Sequence, residues 1–177
     1  MTVQTSTDFH IRDAREDDRA AVRAVTLTAF EGYAAHLGEK WPGYRDNILA
    51  AVTNPAPALQ IVAERAGEVV GSGLLYPAET VFTAPDGGSH TAPFPELRLL
   101  AVHPAMRGRG VGTALMRARV ERARASGAEA VMLHTTAPMR AEPLYRRVGP
   151  FVRAPEHDFQ LAPDVRLMSY LLRFDTP

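Results

Sequence analysis

Residues 96–112 read ELRLLAVHPAMRGRGVG, and their reading decides the fold. Glu96 to Val102 is a strongly apolar strand with two charges near its start, ended by Pro104. Arg107-Gly108-Arg109-Gly110-Val111-Gly112 then opens an amphipathic helix expected over 110–125. Glycines at every second position leave the main chain bare, so its N–H groups can approach a ligand closely. The helix behind adds unpaired N–H donors and the positive end of its dipole. A phosphate or pyrophosphate is the ligand that suits this arrangement. Ala130 to His134 is a second apolar strand. Strand, helix and strand therefore make one right-handed βαβ unit with parallel strands.

The rest of the chain reads outward from that unit. Phe9 to Arg12 is a short strand. Asp13 precedes a helix over 16–30, with Ala21, Val22, Val25 and Leu27 on helical spacing. Residues 31–44 are a loop or broken helix holding Tyr33, His36, Trp41 and Tyr44, and a second helix follows over 44–52. Runs 59–64 and 69–76 form a hairpin about the turn 65–68. Residues 77–95 are rich in Pro, Gly, Ser and Thr and read as a connection, with strand at 80–83. In helix 110–125, Val111, Leu115, Ala118 and Val120 should face inward and Arg117, Arg119, Arg122 and Arg124 largely outward. A helix over 139–148 tolerates Pro143 only in its first turn, and 165–174 closes the chain as a strand. No repeat, linker or second domain is visible, so residues 1–177 form a single domain.

Composition narrows the function. The chain has 177 residues, no net charge and no cysteine. Disulfides, thiolate metal sites and a cysteine nucleophile are excluded, and a reducing cytoplasm fits. No run approaches the length of a membrane span. Charge is unevenly spread: 1–97 holds 7 basic and 13 acidic residues, whereas 98–153 holds 11 arginines and 3 glutamates. The positive surplus therefore surrounds the glycine loop. Aromatics near it are too scattered for a nucleic-acid stacking platform. Glu156-His157-Asp158 lacks a metal-ligand order and no His-Glu-x-x-His occurs, so no metal is expected. Gly71-Ser72-Gly73 lacks the serine-hydrolase elbow. The loop has neither the Gly-Lys-Ser/Thr of a P-loop nor the glycine spacing of a dinucleotide fold.

Leu97-Arg98-Leu99-Leu100-Ala101-Val102-His103-Pro104 feeds Arg107-x-x-Gly110-x-Gly112, and Ala141-Glu142-Pro143-Leu144-Tyr145 through Gly149-Pro150-Phe151 follows about thirty residues on. This combination resembles the GCN5-related N-acetyltransferase (GNAT) superfamily, whose phosphate motif is Arg/Gln-x-x-Gly-x-Gly/Ala. Its later motif is Ala-x-x-Leu-Tyr-x-x-x-Gly-Phe. The resemblance is specific over about 96–151 and implies an α/β fold: a mostly antiparallel mixed sheet with a central parallel βαβ unit, flanked by helices. Two departures bear on the site. Pro138 stands where the family often has an asparagine that contacts the pantetheine arm. Pro150 separates Gly149 from Phe151 and should shift the start of the next strand.

The resemblance implies an acyl-CoA donor, usually acetyl-CoA, and an amine acceptor, joined by direct attack in a ternary complex. Gly108, Arg109, Gly110, Val111 and Gly112 would give N–H groups to the pyrophosphate, with Arg107 adding charge or bracing the loop and Thr113 adding a hydroxyl. Leu100, Ala101 and Val102 would pair with the pantetheine arm, and the Leu100 N–H would polarise the thioester. Tyr145 occupies the position of the general acid, and Glu96 that of a catalytic glutamate. Tyr33, His36 and Trp41 are candidates to line the acceptor pocket, and His134 a candidate base or binding residue. Family members are frequently dimers. The alternative is a non-catalytic acyl-CoA-binding or regulatory domain.

Overall fold

The computed structural model describes residues 8–83, 87–136 and 142–174. The main sheet runs in the order β1 (His10–Asp13), β2 (Leu59–Arg65), β3 (Glu68–Tyr76), β6 (Glu96–Val102), β7 (Ala130–Thr135), β10 (Val165–Arg173) and β8 (Val152–Arg153). A further strand, β9 (Phe159–Ala162), pairs with β10, and β4 (Thr80–Thr83) with β5 (Ser89–Ala92) makes a separate hairpin. Within the main sheet every pairing is antiparallel except β6 with β7. Helices α1 (Arg19–Phe30), α2 (Ala34–Leu37), α3 (Trp41–Thr53), α4 (Val111–Ala125) and α5 (Glu142–Val148) complete the described fold.

Local chemistry explains most boundaries. The β2–β3 hairpin turns at Ala66-Gly67, both left-handed (φ 51° and 82°), which matches the right-handed twist of its strands. Pro42 sits in the first turn of α3 and Pro143 in that of α5, where a missing N–H costs no helical bond. The stretch 31–44 resolves into one-turn pieces, and α3 starts three residues earlier than its apolar spacing suggested. Strand β5 lies in a segment whose Gly and Pro content read as a connection. Strand β8 is only two residues long, and Pro150 precedes it.

Helices cover both faces. Met116, Val120 and Ala123 of α4 and Tyr145 of α5 pack on Leu97, Val131, Leu133 and Leu172. On the other face Val22 of α1 and Val52 of α3 pack on Val62, Leu74 and Tyr76. Among the described residues no helix is long and apolar enough to cross a membrane.

One arginine of α4 departs from the expected outward face. Arg119 does not face solvent; it is 0 % exposed. It follows Val111 and Leu115 at four-residue steps, so helical geometry places it on the buried stripe.

Candidate active site

Strand β6 is distorted at its middle. Leu99 has φ 49°, and the register with β3 shifts between Ser72 and Leu74. Parallel pairing with β7 covers only Glu96 with Met132 and Leu97 with Leu133. Beyond Leu97 the two strands part. Such a bulge leaves carbonyls without ladder partners, and α4 supplies them. Arg119 Nη1 donates to Leu74 O and to Arg98 O, each at 3.1 Å, while its Nε donates to Leu115 O at 3.2 Å. Gly73 makes room for this: a Cβ there would stand 2.6 Å from Arg119 Cζ. Burial pulls the guanidinium pKa down to about 10, so it stays charged at neutral pH.

The glycine loop lies at the far end of β6. Gly110 caps α4 in the left-handed conformation (φ 85°), which L side chains adopt only under strain. Among the described residues, a Cβ at Gly108 or Gly110 would meet nothing within 4 Å, so this side of the loop is open. The first helical bond runs from Ala114 N to Gly110 O (3.0 Å). The N–H groups of Val111, Gly112 and Thr113 therefore precede the helical ladder. Arg107 donates through Nη2 to Ala29 O at 3.1 Å, tying the loop to the end of α1. Arg109 is exposed. At Gly112 a Cβ would lie 3.6 Å from Val102 Cγ2 and 3.9 Å from both Leu100 Cδ2 and Leu144 Cδ1. Loop, strand end and α5 thus meet at one point.

Tyr145 follows Leu144 into this junction. It is buried against Phe151 and Tyr170, and its phenol is hydrogen-bonded to the Thr135 side chain. Burial raises its pKa, so the hydroxyl stays protonated. Pro138 and Ala141 lie outside the described residues.

Above the other face, Phe30, Tyr33, Tyr44 and Trp41 form a chain of ring contacts packed with Ala101 and Leu99. Burial pushes the Tyr44 phenol up to about 12. His36 is exposed on α2 and joins none of these contacts. Glu96 is 2 % exposed, not a solvated strand end. His134 Nδ1 lies 2.9 Å from Glu96 Oε1, and His134 Nε2 lies 3.0 Å from His157 O. Burial alone would lower the His134 pKa; the bond to the Glu96 carboxylate outweighs it and leaves the pKa raised.

A family model described as Acetyltransferase (GNAT) family matches residues 21–149. The chain belongs to the GNAT family. No curated relative matches it. Among solved structures, this GNAT chain is 28 % identical to a GNAT family acetyltransferase from Brucella melitensis in complex with acetyl-CoA. That match covers 95 % of this chain and 89 % of the other, at TM-score 0.61. It shares 20 % identity with yncA from Salmonella typhimurium with its cofactor acetyl-CoA, over 95 % of each chain at TM-score 0.63. A Corynebacterium glutamicum structure named for histone acetyltransferase HPA2 and related acetyltransferase reaches TM-score 0.68 at 23 % identity, over 96 % of this chain and 98 % of that one.

Two residues of this GNAT site escape a reading of the sequence. Arg119 is hidden among four arginines of one helix, and only its step of four from Leu115 marks it. His90 of β5 stacks edge-on against His134 with ring centroids 5.0 Å apart. Nothing in the spacing of 90, 96 and 134 announces that contact, because three separate strands create it.

Proposed function

We propose that the chain is an acetyl-CoA-dependent N-acetyltransferase that acts on a primary amine of a small molecule or peptide by direct attack in a ternary complex. The parting of β6 and β7 beyond Leu97 carries this reading. It offers a slot in which unpaired main chain can meet an extended ligand. The acetyl-CoA complexes of the Brucella and Salmonella structures support the donor.

The residues present suit that donor. The open side of Gly108 and Gly110 has room for a diphosphate, and the N–H groups from Gly108 to Thr113 suit its oxygens. Arg107 braces the loop and adds positive charge. Bound acetyl-CoA supplies an activated thioester. Leu100, Ala101 and Val102 present main-chain groups to its pantetheine arm. The Leu100 N–H donates to the thioester oxygen and holds the oxyanion, a contribution of about 3 kcal/mol. Tyr145, kept protonated by burial, donates its proton to the departing sulfur. A phenol held above its ordinary pKa is neutral at pH 7 and can hand over its proton as the C–S bond breaks. Glu96 is too enclosed for contact with a bulky acceptor, so it takes the amine proton through water, with His134 on its other side. The acceptor sits against Tyr33 and Trp41.

Incubation with acetyl-CoA and a broad amine panel, with thiol release followed, tests the reading. Turnover with at least one amine, lowered by Tyr145→Phe, is expected. Tight acetyl-CoA binding without turnover on any amine, and no effect of Tyr145→Phe, would make the chain a non-catalytic acyl-CoA-binding domain instead.

A further inference from the structure

We propose that His90, Glu96 and His134 bind a divalent transition-metal ion of the zinc type, and that the ion held there switches acyl transfer off. The three side chains come from β5, β6 and β7, and one ligand atom from each lies within 4.8 Å of the others.

The hydrogen bonds of His134 demand a cation. His157 O, a carbonyl, can only accept, so His134 Nε2 carries the hydrogen of that 3.0 Å bond. Nδ1 of the neutral ring is then a lone pair, and it faces the Glu96 carboxylate, another acceptor, at 2.9 Å. A proton or a metal ion must lie between them. A proton settles that contact only. Among the described residues, neither of the buried atoms Glu96 Oε2 and His90 Nε2 has a hydrogen-bond partner. Each such atom gives up the hydrogen bond it would make in water and gains nothing in return. A metal ion held by His134 Nδ1, His90 Nε2 and the Glu96 carboxylate accounts for all of them.

Three further features fit a metal. A ligating histidine ordinarily donates its other N–H to a carbonyl or carboxylate. His134 does so, and the His157 carbonyl is itself fixed by Ser169 Oγ at 2.6 Å. Metal–ligand bonds near 2.1 Å place tetrahedral donors about 3.4 Å apart. The 2.9 Å contact and the 4.8 Å limit bracket that edge. An open cavity of about 370 Å³, lined by His90, His157 and Glu156 among others, brings solvent to the His90 side of the cluster. Two imidazoles and one carboxylate select zinc over magnesium or calcium. Arg98 is the competing cation, but its Nε stands 3.7 Å from Glu96 Oε1 and its guanidinium lies over the Phe82 ring at 4.2 Å.

The inhibitory half rests on the acyltransferase reading, because a metal on Glu96 occupies the carboxylate assigned to the amine proton. The binding half does not. The test titrates the tag-free, chelator-stripped full chain with Zn²⁺ in competition with a chromophoric chelator, and with Co²⁺ followed by its visible ligand-field bands. One equivalent should bind with four-coordinate Co²⁺ bands, and His90→Ala and His134→Gln should each abolish them. His90 is half-buried on the outer hairpin, so its variant reports even where the His134 variant fails to fold, as judged by circular dichroism. Absence of one-equivalent binding, or uptake unchanged in His90→Ala, overturns the site. Zinc should block thiol release, a chelator should restore it, and His90→Ala should resist zinc. Binding without inhibition of a turning-over enzyme overturns the switch. A metal-free chain that releases no thiol refutes the acyltransferase reading alone.

Discussion

Arg119→Met removes the guanidinium that α4 places beneath the β6 bulge. Methionine fills much of the same space and needs no solvation, so the change isolates the hydrogen bonds. Leu115 O keeps its helical bond from the residue 119 N–H. Leu74 O and Arg98 O lose their Arg119 donor and remain inside. Two stranded carbonyls cost about 1–3 kcal/mol each. Relief from burying a charge that has no carboxylate beside it offsets part of this. The net loss should be about 2–4 kcal/mol, a large share of the stability of a chain this size. Urea unfolding followed by circular dichroism reads it as a lower midpoint at unchanged slope. Gly73→Ala is the complementary change, since its Cβ would meet the guanidinium at 2.6 Å, and it should be destabilising too. A midpoint for Arg119→Met equal to wild type would refute the claim that α4 sustains the bulge.

Gly110→Asp should weaken coenzyme A binding by about 100-fold in calorimetry, because like charges a few Å apart near a surface repel by several kcal/mol. Its folding cost should stay near 1–2 kcal/mol, the strain of a left-handed L-residue. Tyr145→Phe should lower kcat by about 100-fold with little change in acetyl-CoA affinity, measured by steady-state thiol release and calorimetry. Asp18→Asn tests acid stability. Hydrogen bonds from the Arg12 guanidinium, against the pull of burial, hold the Asp18 carboxyl at about 2, below its ordinary 3.8. A depressed carboxylate stabilises the fold above its unfolded pKa and loses that stabilisation as pH falls through its folded pKa. Allowing for the water that reaches the pair, wild type should exceed the variant by about 1–2 kcal/mol at pH 7. The gap should close between pH 4 and pH 2 in urea titrations.

The parts of the fold legible in the sequence are those written in local periodicity. Strand 96–102 emerges with the bounds its apolar run suggested, and the glycine loop and α4 follow it as read. The hairpin of β2 and β3 is announced by Ala66-Gly67. What stays hidden depends on contacts between distant segments. The bulge at Leu99 carries no glycine to betray it, because its strain is compensated by Arg119, twenty residues on. Glu96 and His134 each read as a separate candidate site residue, and only the fold sets them 2.9 Å apart with His90 of the β4–β5 hairpin beside His134. Tyr33, His36 and Trp41 read as candidates for the acceptor pocket, and only the fold shows that Tyr33, Trp41 and Tyr44 pack, partly buried, onto Phe30 and Ala101.

The parting of β6 from β7 has a consequence for handling the protein. Main chain along Arg98–Val102 faces a gap where a sheet interior would supply a partner, and an extended segment of any neighbouring molecule can dock there. The slot proposed for the pantetheine arm doubles as a sticky seam when nothing fills it. Preparations kept saturated with coenzyme A should therefore resist clumping on concentration better than those stripped of it.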